Sequence, residues 1–439
     1  MRIAMIGTGY VGLVSGACLS EFGHHVTCVD KDVEKVDRLR KGAIPIHEPG
    51  LEDVVATNQK AGRLSFDTEL ERAVTGSEAI FIAVGTPSRR GDGHADLTYV
   101  FEAAEEIARA LNGYALVVTK STVPVGTSRK VEDVIRRIRP DADIDVASNP
   151  EFLREGSAIE DFRRPDRVVA GCDTTRARDL LREIYRPLYL LETPMMFTSR
   201  ESAELIKYAA NAFLATKITF INEMADLCEK LGADVQDVAR GIGLDGRIGR
   251  KFLHAGPGFG GSCFPKDTLA LLKTSESVGA ATQLVKAVVE VNEARKRRMT
   301  EKIERAFGGV RGKTIAVLGL TFKPNTDDMR DAPSVVILPA LQEKGAHIRA
   351  FDPEGAEEAR KLMNVQLCGD AYEALDGADG VVILTEWNEF RALDLARARK
   401  LLRRPLMVDL RNIYRPQQMA AAGFDYISVG RADIKAAKS

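Results

Sequence analysis

Cys263 is the residue in this chain best placed to act as a nucleophile. Four glycines, Gly256, Gly258, Gly260 and Gly261, precede it, and Phe264-Pro265-Lys266-Asp267 follows. Closely spaced glycines let a backbone wrap around a ligand, and Pro265 ahead of Leu269, Leu271 and Leu272 marks the first turn of a helix. A thiol at a helix N-terminus beside Lys266 favours its thiolate, the form that attacks a carbonyl carbon. The other five cysteines, at 18, 28, 172, 228 and 368, form no C-x-x-C pair and no metal spacing, and read as small buried residues.

A second chemistry stands at the start of the chain. Gly7-Thr8-Gly9-Tyr10-Val11-Gly12 follows an apolar strand pattern and opens a helical one, the arrangement that seats a pyrophosphate on a helix N-terminus. Asp30 comes 18 residues after Gly12, where a carboxylate accepts hydrogen bonds from a ribose and repels a 2′-phosphate. NAD is therefore expected rather than NADP. Lys35 reads either as a cofactor contact or as a solvated helix lysine. Thr86 and Thr122, after two later strands, read as ligand contacts or as ordinary turn and cap residues. Glu151 and Glu155 place two carboxylates four residues apart beside the same crevice. Lys207 and Asn211 share one helix face, as a cleft-facing pair or as part of a solvated stripe in which Glu204 pairs with Lys207. Lys323 and Arg330 suit phosphate or plain solvent.

The elements that must carry these residues follow from periodicity. Short β-branched runs at 3–6, 26–30, 79–84, 115–119 and 145–147 alternate with helical patterns, which predicts a parallel doubly wound sheet. The glycines at 7, 9, 12 and 16 make the stretch 3–20 a strand, turn and helix rather than an export signal. From 200 to about 231 apolar residues recur at helical spacing without Pro or Gly, predicting a single long helix at a domain link or subunit interface. Strand patterns resume at 314–318, 348–351, 365–367, 380–384 and 406–409, a second sheet whose first turn has only Gly319 and is not expected to hold a dinucleotide. The division expected is 1–199, 200–309 and 310–439: two Rossmann-like parallel-sheet α/β domains joined by a central helical domain. With 439 residues, 62 Lys and Arg against 63 Asp and Glu, the chain has no global attraction for nucleic acid or anionic membrane, and the reduced cysteine usage fits the cytoplasm.

Taken together in this order, these motifs resemble the nucleotide-sugar dehydrogenases over nearly the whole chain. The resemblance implies a four-electron oxidation of a primary alcohol to a carboxylate by two successive NAD molecules, with the aldehyde held on Cys263. It implies Lys207 and Asn211 as donors to the oxyanion, Asp267 with Lys207 around the proton-accepting water, Glu151 and Asp267 at the hydrolytic water, and Thr122 in both catalysis and cofactor contact. It puts Glu151, Phe152, Leu153, Glu155, Lys207, Asn211, Phe252, Leu253, His254, Ala255, Gly256, Gly260 and Lys323 at the nucleotide sugar. Glu155, Lys266 and Arg330 it puts at the cofactor. Phe264 and the run 252–257 favour UDP-glucose over GDP-mannose, and the long helix favours a homodimer. A two-electron hydroxyacid dehydrogenase, which needs no thiol, and an inactive NAD-binding regulatory module are the other readings.

Overall fold

A computed structural model describes residues 1–89 and 93–436. The chain divides into two compact units, Met1–Ala210 with Leu269–Ala280, and Asn211–Thr268 with Ala281–Ser439.

The first unit is built on eight strands, β1 (Arg2–Ile6), β2 (His25–Val29), β3 (Leu64–Asp67), β4 (Ala79–Ile82), β5 (Ala115–Thr119), β6 (Ile144–Ser148), β7 (Val168–Gly171) and β8 (Met195–Thr198), in the order β3-β2-β1-β4-β5-β6-β7-β8. Strands β4 and β5 are buried at every residue, as parallel strands covered on both faces must be. The strand order reverses between β1 and β4, so the turns after Ile6 and Ile82 open at the crevice where such sheets bind ligands. The sheet departs from the all-parallel expectation at one place, where β6 meets β7 through the single antiparallel pair Ser148 and Gly171. Strands β3, β7 and β8 escaped the sequence reading. β3 carries Ser65 and Asp67 among its four residues, and β8 lies at the sheet edge only partly buried, so neither shows a continuous apolar run.

The second unit holds β9 (Thr314–Leu318), β10 (His347–Phe351), β11 (Gln366–Leu367), β12 (Gly380–Ile383), β13 (Leu406–Asp409) and β14 (Asp425–Ser428), all parallel, in the order β11-β10-β9-β12-β13-β14. It repeats the topology around β1 with a different turn after its second strand. Asp352, after β10, accepts hydrogen bonds from the Leu320 and Thr321 amides at 2.6 and 3.0 Å, from Trp387 Nε1 at 3.2 Å and from the Gly355 amide at 2.7 Å. A carboxylate so filled with internal donors is a lock for its own turn and has no capacity for a ribose.

The long helix spans Arg200–Leu231, 32 residues, as its periodicity predicts. Glu204 near its start is buried and does not pair with Lys207, the alternative its spacing left open. Its carboxylate instead accepts from the Gly126 amide at 2.6 Å, the Ser128 amide at 2.7 Å and Ser128 Oγ at 2.6 Å, capping the helix Thr127–Ile138. Burial raises its pKa more than these bonds lower it. Replacing Glu204 with Gln puts an amide NH₂ against one of these donors. The expected loss is about 1–3 kcal/mol, read as a fall of roughly 2–8 °C in the calorimetric midpoint; an unchanged midpoint would contradict the capping role.

Candidate active site

In the first unit the glycine turn has the shape the dinucleotide reading requires. Gly7 has φ +104°, and a Cβ there would lie 2.6 Å from the Ala83 carbonyl oxygen. A Cβ on Gly12 would lie 2.0 Å from the Gly7 carbonyl oxygen, so helix and strand pack only through glycine. Gly9, the N-cap of the helix Tyr10–Glu21, differs: a Cβ there meets nothing within 4 Å, and no side chain caps the helix. Open space against uncapped amides is what an incoming pyrophosphate needs.

Asp30 follows β2 and is held in place by Thr8, whose amide and Oγ1 donate to Oδ2 at 3.0 and 2.6 Å, and by Lys35 Nζ at 3.0 Å. Burial raises the carboxyl, but the bonds from Thr8, Lys35 and the Asp32 amide outweigh it and keep the pKa below the usual range. Lys35 is thus an Asp30 partner rather than a merely solvated lysine. Thr86 Oγ1 donates to the Thr122 carbonyl at 2.9 Å, joining the turns after β4 and β5. Val11 stands half-buried in the first turn of the glycine helix.

The loop after β6 gathers the carboxylates. Glu151 Oε1 accepts from Lys207 Nζ at 3.0 Å and Oε2 from the Leu153 amide at 2.5 Å. Both side chains of the pair are about 5% exposed or less, so the charges compensate one another away from water. The Lys207 ammonium also stands 5.5 Å from the Phe152 ring, whose face Arg167 covers at 3.7 Å. Glu155 is half-buried in the same loop.

Glu48, which sequence reasoning missed, fixes the far end of this loop. It accepts from the Gly156 amide at 2.6 Å, from the Ala158 amide at 2.7 Å and from the Tyr10 hydroxyl. The glycine turn and the carboxylate loop therefore share one buried acceptor. Only the composition of the segment, a charged residue between Ile44, Ile46 and Leu51, hinted at it.

In the second unit Cys263 occupies the place its neighbours predict. It immediately precedes the helix Phe264–Ser277, its carbonyl accepts the Asp267 amide at 2.8 Å, and its half-buried Sγ lies 3.5 Å from Ser262 Oγ. A Cβ on Gly260 would lie 2.3 Å from the Asp331 carbonyl oxygen, and one on Gly261, at φ +82°, would lie 2.7 Å from the Phe322 ring. Asp267 is 1% exposed and accepts from Asn211 Nδ2 and from Lys266 Nζ, both at 2.6 Å. The structure thus brings Asn211, Lys266 and Asp267 into one cluster.

The glycine loop hangs on residues without any motif. Asn292 accepts the Phe259 amide at 2.9 Å and donates to its carbonyl at 3.0 Å; Asn222 accepts the Gly256 amide at 2.8 Å; Arg295 donates to the Gly256 carbonyl at 2.7 Å. Leu253, His254 and Ala255 line a cavity of about 330 Å³ with Arg240, Arg250 and Arg411. Phe252 takes φ +64° and stands 6.1 Å from Phe264. Lys323 lies 5.3 Å from the Phe322 ring, and Arg330 is engaged by Asp328 at 2.8 and 2.9 Å. Of the other cysteines, Cys18 and Cys28 are pushed up to about 12 by burial, and Cys172 and Cys228 are buried too. Cys368 departs from that expectation: it follows the two-residue edge strand β11 and is half-buried.

Asp30→Ala is expected to raise the KM for NAD at least about tenfold, the value of one charge-assisted hydrogen bond, and to narrow the discrimination against NADP. Steady-state kinetics with both cofactors would show it, and an unaltered NAD/NADP ratio would contradict the ribose role.

Three family models match the chain in succession: the NAD binding domain of the UDP-glucose/GDP-mannose dehydrogenase family over residues 1–189, its central domain over 201–294 and its UDP binding domain over 316–416. The chain is 62% identical to the UDP-glucose 6-dehydrogenase of Rhizobium meliloti, over 99% of its own length and all of that protein, and 48% identical to the UDP-glucose 6-dehydrogenase TuaD of Bacillus subtilis, over 99% and 94%. A solved UDP-glucose dehydrogenase from Pyrobaculum islandicum superposes with a TM-score of 0.91 at 42% identity, covering 98% of both chains. The open glycine turn, the Asp30 carboxylate and the Cys263 helix start lie within segments that match in order from end to end, and the chain belongs to the UDP-glucose/GDP-mannose dehydrogenase family.

Proposed function

We propose that this chain oxidises C6 of UDP-glucose to the carboxylate, through a covalent bond between that carbon and Cys263 Sγ. The observation that carries the reading is Cys263 at a helix start, behind two glycines whose places no larger residue could take. The residues around the glycine turn would hold NAD: Gly7, Gly9, Tyr10, Val11 and Gly12 at the pyrophosphate, Asp30 at the ribose, and Thr86, Thr122, Glu155, Lys266 and Arg330 as further contacts. NAD supplies an acceptor for the hydride that C6 loses in each of the two oxidations.

The chain's own groups handle the protons and the sulfur. A water held by Lys207 and Asp267 takes the hydroxyl proton as the alcohol becomes the aldehyde. The Cys263 thiolate adds to that aldehyde: a C–S bond forms, and the carbonyl π pair moves onto oxygen as an oxyanion. Lys207 and Asn211 donate to it, a role supported by their one-turn separation on the long helix. After loss of the second hydride the oxyanion has become a thioester carbonyl. Water adds, Glu151 or Asp267 takes its proton, and the C–S bond breaks to release the carboxylate and the thiolate. Phe152, Leu153, Phe252 to Gly256, Gly260 and Lys323 would grip the nucleotide sugar, and the three guanidiniums lining the cavity beside Leu253 suit its diphosphate.

We assign the work to three stretches of chain, 1–199 to cofactor binding, 200–309 to the thiol and subunit contact, and 310–439 to the nucleotide sugar. Cytoplasmic residence fits the reduced thiol this chemistry needs. Along the long helix Phe213, Phe220, Leu227 and Leu231 are 66, 46, 48 and 72% exposed at spacings of seven and four, an apolar stripe that suits a second copy of the chain.

Cys263→Ala should abolish turnover, to below about 10⁻³ of wild type, while NAD affinity by fluorescence titration stays within threefold; parallel loss of NAD affinity would make the thiol structural. UDP-glucose and GDP-mannose compared side by side should give NADH from the former at two per sugar. Phe213→Asp combined with Leu227→Asp should turn a dimer into monomers in sedimentation velocity, and an unaltered sedimentation coefficient would remove this interface.

A further inference from the structure

Lys120 follows β5, and no step above uses it. It is 4% exposed and forms no ion pair among the described residues. Its Nζ donates to Asn149 Oδ1 and to the Tyr185 hydroxyl, both at 3.1 Å, and lies 6.0 and 5.7 Å from the Phe162 and Tyr185 rings. Tyr185 in turn donates to Asn149 Oδ1 at 2.6 Å, and Asn149 donates from Nδ2 to the Val169 carbonyl at 2.8 Å and from its amide to the Thr119 carbonyl at 3.0 Å. Asn149 is therefore clamped on every side, and Glu151 lies two residues further on.

An ammonium in this place opposes stability. Methionine, of similar length, would pack against the Phe162 and Tyr185 rings without the cost of desolvating a charge. What the ammonium adds is two directed hydrogen bonds, one to Asn149, which starts the Glu151 loop, and one to the Tyr185 hydroxyl, which itself holds Asn149. We propose that Lys120 is a positioning residue for thioester hydrolysis: it fixes the Asn149–Glu151 turn through its hydrogen bonds to Asn149 Oδ1 and to the Tyr185 hydroxyl. The proposal rests on the reading of Glu151 as the group that takes the proton of the hydrolytic water.

The charged groups acting on Lys120 are Glu151 and Lys207, while burial keeps the Tyr185 phenol protonated. Burial lowers Lys120 to about 8, with Glu151 pulling it up and Lys207 pushing it down.

The test is stopped-flow NADH formation by wild type, Lys120→Met, Tyr185→Phe and Glu151→Gln, with calorimetry and NAD titration on each. Lys120→Met is expected to melt no lower than wild type, to bind NAD within threefold of it, and to release two NADH per site in a burst. A steady state at least about tenfold slower should follow. Tyr185→Phe, which keeps the ring and the Lys120–Asn149 bond, should slow hydrolysis less. A folded Lys120→Met with wild-type turnover would overturn the proposal, as would loss of NAD affinity without a burst. Should Lys120→Met fail to fold, a wild-type hydrolytic rate in Tyr185→Phe would overturn it. If Glu151→Gln shows neither burst nor slow hydrolysis, the Glu151 reading itself fails and the Lys120 proposal with it. If Glu151→Gln accumulates the intermediate and Lys120→Met does not, only the Lys120 proposal fails.

Discussion

Lys207 and Glu151 face each other across 3.0 Å with almost no access to solvent. Such a pair gains little stability over two well-packed apolar residues, yet losing either member strands the other as a buried charge, at a cost of about 3–5 kcal/mol. The surrounding chain therefore has to deliver both groups in register. Asn149 is clamped by Lys120, Tyr185 and Val169 just before Glu151, and Glu48 gathers Gly156 and Ala158 just after it. On the lysine side, Glu204 one turn earlier bonds the long helix to the Gly126–Ser128 turn. Three buried anchors, each itself polar, thus hold one ion pair.

The two sheets show how one topology serves two ends. After β2, Asp30 keeps Oδ2 on Thr8 and Lys35 and remains only half-buried, beside an open Gly9. After β10, Asp352 is 3% exposed and filled by four amides, a hydroxyl and an indole. The same strand order leaves the carboxylate open in one case and closed in the other, and the difference lies in how many donors the chain itself presents to it. Around Cys263 the same economy applies: Gly260 and Gly261 pack against Asp331 and Phe322, while Asn222, Asn292 and Arg295 supply the hydrogen bonds that glycines cannot.

What was legible in the sequence were features with a local physical signature. The glycine turn, the 32-residue helix and the thiol at a helix start each follow from a few adjacent residues. Strands β3, β8 and β14 were not legible because short, half-polar or edge strands have no continuous apolar run. Glu48, Lys120, Asn292 and Arg295 were missed for another reason. Their partners lie far along the chain, Gly156 at a separation of 108 residues from Glu48 and Asn149 at 29 from Lys120, so no spacing announces them. Glu204 shows the converse: its spacing suggested Lys207, and the fold gave it Ser128 instead.

The claim on which the chemistry turns is that sulfur and sugar are joined during the reaction. Mixing the wild-type chain with UDP-glucose and NAD, quenching with acid inside the first turnover and mapping the peptides by mass spectrometry tests it most directly. The peptide containing Cys263 is expected to gain the mass of the nucleotide-sugar acyl group and to lose it as carboxylate appears. Carboxylate formed while that peptide stays unmodified at every time point would contradict it.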